Sequence, residues 1–377
     1  MKQKTILLAP LNWGLGHATR CVPLILAAQT QGFRVILASD GAAAVFLRHE
    51  FPDLDCVELP SYHIRYPFDN ILANILYLLP NILWAVFYEN IACQQIVKNR
   101  EIDVLISDNR YGMFYWGRRK VKNVFLGHQL NIKLNAQNEH LNLIEKAVAG
   151  LQRLFLTTFF DTIAVPDAAD DSENLAGVLC HSAAWKTGVP LVYIGIQSRF
   201  LSYKRQKAAA VAAENTPKKR VLILLSGPEP QRTRLEDLLL RQAENLPDYL
   251  FTLVRGLPQE AVVTTAFAEN ITQVSHLFTP DLADLFDGND LIICRSGYST
   301  LMDLAFFKQK KLILIPTPGQ TEQLYLAHRL AQKNRCIVQQ QSSINLAKAL
   351  NDTETIDFFT LSHTENCLDA LFQLLSF

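Results

Sequence analysis

Two polar turns in the C-terminal half of the chain have the features needed to bind an anion. Each follows an apolar run typical of a buried parallel strand: Arg295–Thr300 follows Leu291–Cys294, and a turn beginning at Thr317 follows Lys311–Pro316. A helix is predicted after each turn, so unpaired backbone N–H groups and a helix dipole both favour negative charge there. Two such turns side by side predict one site for a ligand with phosphate and hydroxyl groups, such as a nucleotide-sugar.

Transfer of a sugar from a diphosphate requires stabilisation of the departing charge and a base for the acceptor hydroxyl. The helix N-termini and Arg295 could supply the first without a metal. Candidates for the base lie in the N-terminal half: His17, Asp108 and His128. His17 follows a turn with Gly14 and Gly16 and has a pKa suited to neutral pH, although it could instead cap a helix or contact phosphate. Asp108 could be an N-cap, and for His128 we favour the role of a satisfied strand-end residue.

Length and composition indicate a soluble α/β protein of two domains. The chain has 377 residues, which exceeds the usual size of one core. Of these residues, 49% are hydrophobic and 19% charged, and this composition excludes disorder. The formal net charge is +0, so no global field attracts nucleic acid.

The cysteines and acidic pairs do not indicate a metal or a cofactor. The seven Cys are scattered without a CxxC pair, so neither a disulfide framework nor a zinc site is predicted. The one Asp-x-Asp, Asp53–Asp55, lies in a turn before a strand, where a metal motif is not expected. The first apolar run is too short for a signal peptide, so we expect a cytoplasmic protein.

The order of elements predicts two doubly wound α/β domains. A strand over Thr5–Ala9, the glycine turn, a helix over Thr19–Gln31 with Gly32 as C-cap, and a strand over Arg34–Ala38 begin the first. A third glycine at dinucleotide spacing is missing, so no NAD fingerprint is present. We predict an N-terminal domain over 1–197, a linker over 198–219, a ligand-binding domain over 220–360 and a final helix over 361–377.

The segment Ile71–Cys93 is unusually apolar and is interrupted by Pro80. It is a poor membrane span, and we favour a core-facing pair of amphipathic helices or one kinked helix. The alternative is a surface that dips into a bilayer or grips a lipid-linked acceptor, with the nearby basic residues 118–122 contacting anionic headgroups.

Three motifs carry a resemblance to a known family. GLGHATR at 14–20 resembles the N-terminal glycine loop of GT-B glycosyltransferases. RSGYSTLMDL at 295–304 and PTPGQTEQLYLA at 316–327 resemble the donor-binding half of the lipid-II-forming N-acetylglucosaminyltransferases, which belong to glycosyltransferase family 28. The resemblance implies a GT-B fold, with two Rossmann-like domains facing across a cleft and the donor held mainly by the second.

The resemblance also implies roles for individual residues. Asp303, where the family usually has Glu, would hold the ribose hydroxyls, and the segment at Phe278 would hold the base through its backbone. Glu322 and Gln323 stand where the family often has two glutamines that read the sugar. The remaining members of the implied donor site contribute to the turns or to diphosphate binding: Ser226, Gly227, Arg295, Ser296, Gly297, Ser299, Thr300 and Gly319.

The sequence therefore predicts an inverting, metal-independent glycosyltransferase. It would move an N-acetylhexosamine or hexose from a UDP-sugar to a lipid-linked or cell-envelope acceptor, in the cytoplasm or peripherally on the inner face of the membrane. Two alternatives stay open: a UDP-N-acetylglucosamine 2-epimerase-like enzyme, whose acidic and Gly-rich signature is missing at 295–304, and a non-catalytic nucleotide-sugar-binding subunit.

Overall fold

The computed structural model describes residues 3–62, 71–118, 120–134, 142–170, 174–181, 188–202, 218–258, 260–289, 291–307, 310–360 and 367–375. Contacts divide the chain into two compact units. Unit 1 contains Met1–Ile64, Ile75–Ser198 and Ser362–Phe377, and unit 2 contains Arg65–Asn74 and Arg199–Leu361. Most of the predicted linker, 203–217, lies outside the described residues.

Unit 1 is built on a parallel sheet whose inner strands are almost entirely buried. The order β3-β2-β1-β4-β5-β6-β7 places β1 next to β4, which is the switch point of a doubly wound sheet. Nearly continuous apolar strands are expected where helices cover both faces of a sheet. The strands are β1 Thr5–Pro10, β2 Arg34–Ser39, β3 Cys56–Glu58, β4 Val104–Asp108, β5 Lys122–Leu126, β6 Thr162–Val165 and β7 Leu191–Tyr193.

Local sequence signals explain several helix ends in unit 1. The helix α1 ends at Thr30, and Gly32 follows with φ 81°, as the C-cap prediction requires. The N–H of Gly32 donates to the carbonyl of Gln29, and the N–H of Phe33 donates to the carbonyl of Ala28. These two hydrogen bonds close the helix in a Schellman motif. The helices are α1 Gly16–Thr30, α2 Gly41–Glu50, α3 Ile71–Arg100, α4 Leu143–Phe159 and α10 Leu368–Leu375. The predicted start of α1 at Thr19 is therefore late by one turn.

Of the two forms predicted for Ile71–Cys93, the helix pair is wrong and a single helix is observed. One helix, α3, contains the whole segment with Pro80 inside it. Cys93 and Val97 are buried on one side of α3, whereas a row of large apolar side chains is exposed on the other: Tyr77, Leu83, Trp84, Phe87, Tyr88 and Ile91. Within the described residues, no helix combines the length and apolarity needed to cross a membrane.

Unit 2 repeats the doubly wound plan. Its order β10-β11-β9-β8-β12-β13-β14 places β8 next to β12 at the switch point, and the pairs are parallel except for β10–β11. The strands are β8 Lys219–Leu224, β9 Tyr249–Val254, β10 Thr264–Ala268, β11 Ile271–Val274, β12 Leu291–Cys294, β13 Lys311–Leu314 and β14 Ile337–Val338. The helices are α5 Gln231–Ala243, α6 Thr279–Gly288, α7 Tyr298–Phe306, α8 Thr321–Gln332 and α9 Leu346–Asp352.

The structure confirms the predicted α/β class and the doubly wound sheet of each unit. The sequence did not reveal three short or edge strands, β7, β10 and β14, and Phe278 is the N-cap of α6. In the predicted final helix, residues 361–366 and 376–377 lie outside the described residues. The helix α10 packs in unit 1, where Phe372 contacts Phe33 at a ring-centroid distance of 5.8 Å.

Candidate functional site

In unit 1, the candidate catalytic residues meet at the carboxyl ends of the central strands. Asp108 is the last residue of β4 and pairs in register with Pro10, the last residue of β1. The chain leaves β1 through the glycine turn, and α1 then begins at Gly16. Because His17 and Arg20 are separated by three residues on α1, both side chains lie on one face of its first turns. The fold therefore brings His17 to Asp108 across 91 positions of sequence.

Asp108 is a buried carboxylate surrounded by donors. Its Oδ1 lies 3.1 Å from His17 Nδ1, and its Oδ2 accepts from Arg20 Nε at 2.9 Å and from the Cys21 thiol at 3.4 Å. A second Arg20 nitrogen, Nη2, donates to Oδ1, so the guanidinium binds the carboxylate with both edges of its fork. Burial opposes ionisation, but the charge of Arg20 and the hydrogen bonds from Arg20 and His17 outweigh it and hold the pKa of Asp108 well below its usual range.

Both histidines place Nδ1 against Arg20, and His17 Nδ1 also faces Asp108. Burial lowers the pKa of His17 below 6.5 against the opposing effect of Asp108, so the ring is neutral at pH 7. The carboxylate of Asp108 can only accept, whereas Arg20 Nη2, 3.0 Å from the same His17 Nδ1, can only donate, so these two contacts call for opposite tautomers of His17. Arg20 Nη1 lies 2.6 Å from His128 Nδ1, and since arginine only donates, His128 accepts there.

The glycine turn has a backbone that needs glycine at one position. Gly14 has φ 80°, a conformation that side chains with a Cβ adopt with strain, and the space around its missing Cβ is open. Gly16 is the first residue of α1 and has no such φ. The sequence analysis missed Arg20 as a member of this cluster, although its spacing from His17 on a predicted helix was a usable signal.

In unit 2, the candidate donor residues lie on loops after three neighbouring strands. The strands β8, β12 and β13 are adjacent and parallel, so the loops that follow them meet at one edge of the sheet. The loop after β8 contains Ser226 and Gly227, and Gly227 has φ 104°. A Cβ on Gly227 would lie 3.6 Å from Thr317 Oγ1, which directly shows that the first and third loops touch.

Arg295 ties these loops together from inside. Its side chain is buried, and its terminal nitrogens donate to the carbonyls of Ile315, Pro316 and Gln231 and to the side chain of Gln341. These acceptors are all neutral, and the described residues place no carboxylate against this guanidinium. Burial lowers the pKa of Arg295 to about 9, so the group stays charged at pH 7 and its positive charge is uncompensated.

Ser296 and Gln323 hold the loops in shape. The Ser296 hydroxyl donates to the backbone carbonyl of Gln323 at 2.7 Å, which joins the turn after β12 to α8. The Gln323 side chain accepts from the Thr317 N–H at 2.8 Å and donates to Gln320. The Thr317 hydroxyl is buried and has no hydrogen-bond partner among the described residues. Thr317 and Gln320 were not among the predicted site residues.

The predicted ribose ligand, Asp303, has a partner in this structure. Its Oδ2 lies 3.3 Å from Nε of Arg199, and both side chains are buried. Asp303 lies on α7 and Arg199 at the start of the short 3-10 helix Arg199–Ser202. Sequence analysis placed Arg199 in the linker and gave it no role.

The other predicted donor residues are half-buried at the same edge of the sheet or at the start of a helix. Gly297 is the N-cap of α7, with Ser299 and Thr300 in its first turn, and Glu322 lies in the first turn of α8. Gly319, with φ 77°, forms the turn before α8. Phe278 precedes α6 and packs edge-on against His276 at a ring-centroid distance of 4.8 Å.

Comparison with known proteins agrees with this geometry. Residues 234–363 match the glycosyltransferase family 28 C-terminal domain. The C-terminal part of the chain thus contains a family 28 glycosyltransferase domain, and the chain has the GT-B fold. No curated protein sequence matches it.

Several solved structures of glycosyltransferases share the fold of the whole chain. A glycotransferase of kitacinnamycin has 14% identity and a TM-score of 0.59 and covers 93% of this chain and 90% of that chain. The calicheamicin glycosyltransferase CalG4 has 13% identity and a TM-score of 0.59, with 94% and 90% covered. The spinosyn rhamnosyltransferase SpnG complexed with thymidine diphosphate has 16% identity and a TM-score of 0.57, with 93% and 92% covered.

The Arg295 contacts predict a stability effect that is separate from catalysis. In Arg295→Met, buried carbonyls lose their donors, each at a cost of about 1–3 kcal/mol, while the desolvated charge is also removed. We expect the free energy of unfolding of unit 2 to fall by about 2–4 kcal/mol, measured by urea denaturation. The exposed Arg234 on α5 provides the control, since Arg234→Met should change stability by less than about 0.5 kcal/mol. Equal losses in both variants would contradict the structural role.

Proposed function

We propose that this glycosyltransferase transfers a sugar from a UDP-sugar with inversion of configuration, using His17 as the general base. The observation that carries the proposal is the contact between His17 Nδ1 and the ionised Asp108. An acceptor hydroxyl attacks the anomeric carbon as its proton passes to His17 Nε2, and the diphosphate leaves from the opposite face. A single displacement of this kind inverts the anomeric centre.

The proposal assigns the His17 proton to Nδ1, where Asp108 accepts it, and this leaves Nε2 as the basic nitrogen. Arg20, whose Nη2 lies 3.0 Å from the same Nδ1, neutralises Asp108, so the carboxylate does not make the imidazole strongly basic. The same guanidinium occupies His128 Nδ1, and we therefore assign His128 a supporting or acceptor-binding role, not that of the base. A neutral imidazole whose acidic nitrogen is fixed is the form suited to accept a proton at pH 7.

The leaving diphosphate is assigned to the loops of unit 2. Arg295 contributes an uncompensated positive charge close to the turn, and the N-terminus of α7 contributes the positive end of its helix dipole. Gly227 permits close approach to the backbone, beside the unpartnered Thr317 hydroxyl. These groups are available without a metal ion at the leaving group. Ser226, Ser299 and Thr300 add hydroxyl donors.

Asp303 is assigned to the ribose and Glu322 to the transferred sugar. A carboxylate is the usual partner for vicinal hydroxyls because it offers only acceptors. In this structure Arg199 pairs with Asp303, so a ribose would share or replace that contact. The backbone at Phe278 is assigned to the uracil base.

An exposed apolar surface of unit 1 supports a lipid-linked acceptor. Asn90 on α3 bonds the carbonyls of Gly112 and Phe114, and the Phe114 ring packs on Phe159 of α4 at 4.3 Å. These contacts join α3, the loop after β4 and α4 into one surface, which we call the apolar face. Its exposed members are Leu83, Trp84, Phe87, Tyr88, Ile91, Trp116, Leu143, Ile144, Leu151 and Leu154.

The apolar face has the charge pattern of a membrane-docking surface. Arg118 and Lys120 are exposed next to Trp116, and Lys146 is exposed on α4. The stretch Pro80–Val97 of α3 carries one charged residue, Glu89, and that residue is buried. Aromatic and aliphatic side chains edged by cations suit the interface of an anionic membrane. We propose that the protein docks there peripherally to reach its acceptor.

Nucleotide binding tests the donor assignment. By calorimetry, the protein should bind UDP more tightly than GDP, ADP or dTDP. Asp303→Ala should weaken UDP binding about 10–100-fold, because a charge-assisted hydrogen bond contributes about 1.5–3 kcal/mol. Arg199→Gln, which breaks the same ion pair but keeps the carboxylate, should bind UDP equally or more tightly. Tightest binding of dTDP would correct the base, and no binding of any nucleotide would overturn the proposed function.

Turnover and its pH dependence test the base. His17→Ala should lower kcat by about 10²–10⁴-fold while UDP affinity is kept. Because the pKa of His17 is lowered, kcat/KM for the wild type should fall only at pH values below the ordinary histidine range, where the imidazole becomes protonated. The exposed His49 on α2 is the matched control, and His49→Ala should leave both quantities unchanged. An unaffected rate in His17→Ala would transfer the role to another residue.

Vesicle binding tests the apolar face. Trp84→Ser and Leu151→Ser, at sites 61% and 70% exposed, should each weaken binding to anionic vesicles about tenfold, since each loses about 1.5 kcal/mol of apolar burial. Val263, which directly precedes β10, is 54% exposed, and Val263→Ser should leave binding unchanged. Equal binding of all variants, measured by sedimentation, would contradict membrane docking.

A further inference from the structure

Three side chains of metal-ligand type converge beside the carboxyl end of β6. Asp167 follows β6 by two residues, and Cys180 and His181 directly follow the 3-10 turn Gly177–Leu179. One ligand atom from each lies within 4.8 Å of the others. Asp167 and Cys180 are buried, and the His181 side chain is 9% exposed. The spacing, with 12 residues between Asp167 and Cys180 and none between Cys180 and His181, matches no common zinc pattern, which is why the sequence did not reveal the cluster.

The distances match the edges of a zinc coordination tetrahedron. With Zn–O and Zn–N bonds of about 2.0 Å and a Zn–S bond of about 2.3 Å, tetrahedral angles place O and N about 3.3 Å apart and O and S about 3.5 Å apart. Asp167 Oδ2 lies 3.3 Å from His181 Nε2 and 3.5 Å from Cys180 Sγ. A direct N–H···O hydrogen bond is usually shorter, at about 2.9–3.0 Å.

The three side chains are held in place by the surrounding backbone. Asp167 Oδ1 accepts from the N–H groups of Ala168 and Leu175, and Oδ2 accepts from Ala176, each at 2.9 Å. The Tyr193 ring stacks on His181 at 4.7 Å, and its hydroxyl donates to the Cys180 carbonyl. Hydrogen bonds of this kind orient metal ligands and tune their basicity.

The donor set also selects the ion. Thiolate and imidazole favour zinc over magnesium or calcium, which prefer oxygen ligands. A thiolate, a carboxylate and a neutral imidazole balance the +2 charge, so the buried group would be neutral overall. We propose that Asp167, Cys180 and His181 bind one zinc ion, with water as the fourth ligand. The ion clamps the segment that connects β6 to β7 onto the end of β6.

Cobalt substitution tests the site directly. Metal-free protein titrated with Co²⁺ should bind one equivalent and develop near-ultraviolet thiolate-to-cobalt absorption together with visible bands of tetrahedral Co²⁺. Cys180→Ser should abolish the ultraviolet band, and His181→Ala should weaken Co²⁺ affinity at least about 10-fold. Cys367 is the exposed thiol, and Cys367→Ser is the control that should keep all bands. Bands lost in Cys367→Ser but kept in Cys180→Ser would overturn the proposal.

A measurement on the unmodified chain avoids variants that fail to fold. Adding Zn²⁺ to the metal-free protein should raise its Tm by about 5 °C when free Zn²⁺ exceeds Kd about 100-fold. In His181→Ala, whose altered side chain reaches solvent, the same addition should give little rise. If Zn²⁺ leaves the Tm of the wild type unchanged, or raises that of His181→Ala equally, the three side chains form a hydrogen-bonded cluster and the metal site is excluded.

Discussion

The arrangement of each unit depends on how buried charge is compensated at the carboxyl ends of parallel strands. Asp108 and Arg20 are both buried in unit 1, where removing either partner would leave an unpaired charge, at a cost of about 3–5 kcal/mol. Their pairing therefore constrains the first turns of α1 to lie against β4. His17 is carried to its position by that constraint, because it lies one turn before Arg20 on the same face. The position of the candidate base, His17, is therefore set by the ion pair between Asp108 and Arg20.

A second buried ion network explains the exposed face of α3. Arg110 is buried against Glu89 of α3 and Asp40, and Glu89 also accepts from the Tyr62 hydroxyl and the Gly112 N–H. Burial raises the pKa of Glu89 against the effect of Arg110, yet the carboxylate has a donor for each oxygen. Because Glu89 must face inward, the rotation of α3 about its own axis is fixed. Tyr88, which directly precedes Glu89, and Trp84, one turn earlier on the same row as Tyr88, therefore face outward.

This network is also the reason why the sequence analysis was wrong about α3. Hydrophobic periodicity predicts that the most apolar face turns to the core, which holds when nothing polar must be buried. Here the partners of Glu89 come from distant positions, 40, 62, 110 and 112, and single-sequence reasoning could not pair them. The sequence predicted what is local: the glycine turn, the Gly32 cap, the buried strands and the helix starts after β12 and β13. It could not predict the contacts of Arg199 with Asp303, of Arg20 with His128, or of Asp167 with Cys180 and His181. Those contacts form only once the order of the strands in each sheet is set.

The two buried arginines at the strand ends show how surroundings give one residue type two uses. Arg20 faces a carboxylate, so its charge is cancelled, and what remains is a neutral, oriented imidazole. Arg295 faces carbonyl and amide oxygens, which satisfy its hydrogen bonds without cancelling its charge. A desolvated cation of this kind lowers the free energy of a nearby anion more than a surface lysine could, because the low dielectric does not screen it. The proton acceptance proposed for unit 1 and the anion binding proposed for unit 2 therefore rest on the same chemistry, and they differ in whether a carboxylate faces the arginine.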